Sequence, residues 1–134
     1  MREKQMQDIR AIQKSICEKL LEVTSLTQEL DEAVNRQDQV SVRLLLLARR
    51  KPLCELCAAW AKMDLQRCEL SPQEVDELEE IFSGAGPEGG DSGAMAALQQ
   101  SNQRLLQRLK AMDQEVSRKI CRERSYYTDV SKKA

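Results

Sequence analysis

The sequence has no histidine among its 134 residues. That removes the commonest acid–base side chain and the commonest neutral metal ligand, and with them any His-based catalytic triad within this chain. Aromatic residues amount to only 3%, with one Trp and one Phe, so a core has to be built from Leu, Ile, Val and Ala. Glycine is confined to one place: all five lie between Gly84 and Gly93. Neither sign of charge dominates, since 21 Lys and Arg face 22 Asp and Glu for a net charge of -1. That balance argues against a general nucleic-acid binder, which would show a basic excess. No apolar run approaches the roughly 20 residues of a membrane span, so membrane insertion is not expected; the most strongly aliphatic run is Leu44–Ala48. Met1-Arg2-Glu3-Lys4-Gln5 leads into an amphipathic pattern and not into an apolar signal segment. A cytoplasmic location with reduced thiols is therefore expected for the five cysteines.

What is present is helical periodicity. Ile9, Ile12, Ile16, Leu20, Val23, Leu26, Leu30 and Val34 recur every three or four residues, which lines one face of a helix from about Lys4 to Arg36. Such a rod is about 45–50 Å long and needs partner helices to cover its stripe. Asp38 is placed to cap a second helix over 39–69. Four consecutive leucines, Leu44 to Leu47, wrap more than one face there. They suggest a central helix packed on two sides, or else an exposed partner-binding strip. Pro52 falls inside this pattern and predicts a kink. Trp60, the largest apolar anchor, is expected in the core near the hairpin turn.

Ser71-Pro72-Gln73-Glu74 reads as N-cap, first helical position and capping box for a short helix over 72–83. Gly84 ends it, and the glycine-rich stretch 84–94 reads as a flexible loop. A last helix over about 95–127 carries Leu98, Asn102, Leu105, Leu109, Met112, Val116 and Ile120 on one stripe. Strand-type alternation is absent. The pattern predicts an all-α, elongated antiparallel bundle of long helices, one domain over 1–134.

Candidate chemistry is sparse. Cys54-Glu55-Leu56-Cys57 is a CxxC, but the βαβ context of a redox motif is missing, and a structural zinc site needs four ligands. Cys17, Cys68 and Cys121 join them only through tertiary contact, so buried apolar cysteines are the simpler reading. Gly84-Ala85-Gly86-Pro87-Glu88-Gly89 matches GxGxxG in letters but follows a helix and not a strand. No cofactor, no metal site and no catalytic residue are expected. Basic clusters at Arg43, Arg49, Arg50, Lys51 and at Arg118, Lys119, Arg122, Arg124 are balanced by Asp76, Glu77, Glu79 and Glu80, as on a solvated face. Asn102, polar on an apolar stripe, suits a register-fixing role. Tyr126 and Tyr127, after a charged run, are candidate anchors for a partner pocket.

This layout, with Leu20-Leu21-Glu22, Leu26 and Leu30, then Leu45-Leu46-Leu47, then Asn102-Gln103-Arg104-Leu105-Leu106 and a closing Tyr126-Tyr127, resembles the FlgN-type flagellar export chaperones. The resemblance covers about Met6 to Tyr127, and the shorter FliT-type chaperones are a close alternative. It implies a cytosolic bacterial chaperone without catalysis. Such a protein binds the helical ends of flagellar hook–filament junction proteins and delivers them to the export gate. Carried over, partner binding falls on Leu105, Leu109, Met112 and Val116, with gate docking on Tyr126 or Tyr127. A last helix hung on the only glycines is suited to moving aside for a partner. The alternative is a structural coiled-coil adaptor or dimerisation module whose stripe serves assembly, and a homodimer fits such a module.

Overall fold

A computed structural model of the chain describes residues 1–86 and 89–133, and the side chains of 1–86 and 89–122. Four helices follow one another: α1 (Glu3–Asn35), α2 (Gln39–Glu69), α3 (Pro72–Ser83) and α4 (Gly90–Lys133). No strand occurs among the described residues. The bundle is all-α.

Each boundary has a local cause. α1 stops where Gln37 enters the left-handed region at φ 59°. There the Asp38 N–H donates to Ala33 O at 3.0 Å, the bond that closes a helix C-terminus. The turn 36–38 is so short that α2 has to fold back against α1. Asp38 then caps α2, accepting from the Ser41 N–H at 3.1 Å and from its hydroxyl at 2.6 Å. α3 opens with the reciprocal capping box between Ser71 and Glu74 and closes on Gly84 at φ 84°. α4 begins at Gly90, five residues ahead of the Met95 expected from periodicity. The acid Asp91 in its first turn complements the helix dipole and meets Arg10 of α1 at 2.7 Å.

α1 is the spine. α2 runs antiparallel to it and α4 returns parallel to it. Arg10 therefore pairs with Asp91 at one end, and Lys119 reaches Asp31 and Asn35 at 2.7 and 2.9 Å at the other. α2 and α4 each pack along α1 but scarcely touch one another. α3 lies against the first turns of α4 and adds Leu78 and Ile81 to the core.

The apolar interior is divided. A larger cluster runs from Ile9 and Ile16 through Leu56, Met63, Leu78 and Met95 to Leu109. A smaller one joins Leu30, Val34 and Val116 near the α1–α2 turn. Thr24, Thr27 and Arg49 are buried between them in sequence register. Thr27 donates to Val23 O at 2.7 Å, and Arg49 reaches Asp113 of α4 at 2.9 Å. α2 passes through Pro52 as one helix, with the ring buried against the bundle. The leucine run is not packed on two sides. Leu44, Leu46 and Leu47 are exposed and Leu45 alone turns inward, because α2 lies at the edge of the bundle with its inner face alone on α1.

Candidate partner-binding groove

Two helices laid on a third without meeting leave a furrow. Its floor is α1, through Ile16 and Leu20; its walls are Trp60 and Met63 of α2 and Asn102 and Leu106 of α4. Phe82 of α3 closes one end. The cavity measures about 330 Å³. Its rim is polar, with Asp64 and Arg67 on one side and Gln99 and Gln103 on the other. The Arg67 guanidinium sits 5.7 Å from the Phe82 ring centroid, a cation–π contact that fixes the closed end.

Polar clasps tie each wall of the groove to α1. Gln13 Nε2 donates to Met95 O and to Gln99 Oε1, both at 3.2 Å. Asn102 Nδ2 donates back to Gln13 O at 3.0 Å. Two buried amides thus tie α4 to the spine in one register, the role expected of Asn102. Asn102 Oδ1 and Gln13 Oε1 are left without a hydrogen-bond partner. On the α2 side the clasp is ionic: Lys19 pairs with Glu55 and, at 3.3 Å, with Glu22. The Glu55 carboxylate raises the Lys19 ammonium above the usual lysine range, and Lys19 in turn lowers Glu55 below the carboxylate range. Arg49–Asp113 is the one side-chain hydrogen bond among the described residues that crosses from α2 to α4.

The expected partner residues are distributed unevenly. Leu109 and Val116 are buried against the spine, whereas Leu105 and Met112 are half-buried. Leu106, next to Leu105, is the α4 aliphatic side chain that lines the groove; it lies off the seven-residue stripe, and only the position of α2 reveals it. Tyr126 and Tyr127 lie outside the described side chains. Trp60 is half-buried in the groove wall. It is not at the α1–α2 turn, because the Lys19–Glu55 pairing sets it opposite the first third of α1. Cys54, Cys57, Cys68 and Cys121 are exposed and Cys17 is partly so, which corrects the expectation of buried cysteines. Among the described residues, no three His, Cys, Asp or Glu side chains are grouped as metal ligands would be. No described helix is long and apolar enough to cross a membrane. No protein-family model matches the chain, and no curated protein and no solved structure matches it.

Proposed function

We propose that this chain is a cytoplasmic helix-binding chaperone of the FlgN type. It would hold the amphipathic helical end of a flagellar hook–filament junction protein for delivery to the export gate, by binding and not by catalysis. The observation that carries this reading is the groove itself. An apolar floor with a polar rim, between two helices that scarcely touch, suits one further amphipathic helix laid with its apolar face inward. The client's apolar side chains would meet Trp60, Met63 and Leu106, and its polar flank would meet Asp64, Arg67 and Gln103. Leu109 and Val116 would join the contact only when α4 swings outward on its glycine-bearing connection.

Trp60, the only tryptophan, reports on this directly. Synthetic peptides from the helical ends of junction proteins are expected to shift its emission to the blue with saturable, micromolar titration. Leu106→Asp should weaken that titration about tenfold or more. Unchanged emission throughout the titration would sink the proposal. A coiled-coil adaptor is the second reading, favoured by the exposed leucines of α2.

A further inference from the structure

The outward face of α2 carries Val40, Leu44, Leu47 and Leu65 at 70, 61, 56 and 64% exposure. Lys51, Cys54, Ala58 and Ala61, all exposed, fill the interval between them. The steps along this line alternate four and three residues from Val40 to Leu65, which is the seam of a coiled coil. It lies opposite the face that Val42, Leu45, Leu56 and Met63 turn toward the bundle, so folding of the single chain does not need it.

The seam reads the same from both ends, and its bulk is unevenly shared. The first half holds Val40, Leu44 and Leu47, and the second holds Ala58 and Ala61 before Leu65. We infer that α2 pairs antiparallel with α2 of a second copy of this chain, about a twofold axis passing between Pro52 and Leu53. In that register Val40 opposes Leu65, Leu44 opposes Ala61, Leu47 opposes Ala58 and Lys51 opposes Cys54. Each Leu in the middle layers meets an Ala, so the two backbones approach closely without a void. A parallel pair would stack Leu on Leu at one end and Ala on Ala at the other. The flanks agree in charge, because Arg43 is brought beside Asp64 of the other copy. Lys51, the one charged seam residue, lays its stem along the interface and its ammonium outside. It penalises other registers at some cost in affinity.

The strip is about 38 Å long and about 10 Å wide on each copy. With side-chain relief that reaches only the low end of specific interfaces, at roughly 1,200 Å² in total. Self-association at tens of micromolar, and not a permanent dimer, is therefore expected. The groove opens on another side of α2 and shares only its rim residue Asp64 with the pairing.

Sedimentation equilibrium of the full chain from about 1 to 300 μM tests the pairing across the weak range. A monomer–dimer equilibrium is expected. Leu44→Glu with Leu47→Glu should leave a monomer of unchanged helicity throughout, whereas Leu21→Glu, exposed on α1, should change nothing. Lys51→Leu should tighten association about tenfold or more. Orientation follows from a cysteine-free chain with a short bismaleimide linker. Val40→Cys with Leu65→Cys should cross-link two copies, and Val40→Cys alone should not. A monomer at every concentration, a dimer that survives the double Glu variant, or self-linking by Val40→Cys alone would each overturn the inference.

Discussion

α2 and α4 lie on the same spine and use it differently. α4 buries Met95, Leu109 and Val116 against α1 and presents Gln100, Arg104, Gln107 and Arg108 to solvent. Two buried amides, Gln13 and Asn102, hold it in register. α2 buries Leu56, Ala59 and Met63 on its inner side and keeps a second apolar line on its outer side. A helix with one apolar face has satisfied it once it docks. A helix with two has satisfied only one, and the other face remains open to a further helix. Apolar content alone therefore does not locate a core. What matters is which line of residues the turns bring inward.

Truncating side chains on the two faces of α2 separates their roles most widely. Leu56→Ala on the inner face is expected to cost about 3 kcal/mol, and Leu44→Ala on the outer face less than about 0.5 kcal/mol, in urea unfolding of dilute protein. Equal costs would mean that the outer line supports the monomer after all. On α4, Asn102→Ala removes the bond to Gln13 O and is expected to cost about 1–2 kcal/mol in the same measurement. Asp113→Ala strands the buried Arg49 guanidinium. Because Asp113 itself is 47% exposed, the loss should be no more than about 1–2 kcal/mol. Arg49→Met in that background should recover part of it.

These contrasts mark what the sequence made legible. The α1 stripe, the Ser71–Glu74 cap and the Gly84 stop are local patterns, and local patterns fix helices. The leucine run was misleading in one direction, since its spacing fits two-sided burial within one chain as well as burial against a second helix. Trp60 and Leu106 face one cavity only because α2 and α4 sit at a particular angle around α1, which periodicity along one helix does not encode. Asp91 lies in the first turn of α4 and pairs with Arg10, far away in sequence, a contact that local composition does not encode.

Smaller effects refine the same picture. Gln37 holds a left-handed conformation at the α1–α2 turn, so Gln37→Gly should raise stability by about 0.5–1 kcal/mol, as read from the urea midpoint. The melting temperature should be flat between pH 5 and 7, because no His titrates there. Hydrogen bonds or salt bridges hold Asp38, Glu55, Glu74 and Glu115 below the usual carboxylate range, with Arg118 acting on Glu115. Their contribution is complete above that range and is lost as pH falls through the lowered values. Lys19 is raised by Glu55, so its contribution is present below the usual lysine range and is lost as pH rises through the raised value. A midpoint change inside the neutral window would point to a titrating group that these contacts do not include.

The most direct measurement places one photo-reactive residue, p-benzoylphenylalanine, at position 106 or at position 44 and adds a junction-protein helix before irradiation. Groove and seam then answer separately. The peptide adduct is expected from position 106 alone and the covalent dimer from position 44 alone. Peptide captured at position 44 and absent from position 106 would contradict it, because the client would then ride on the outer face of α2 and not between α2 and α4.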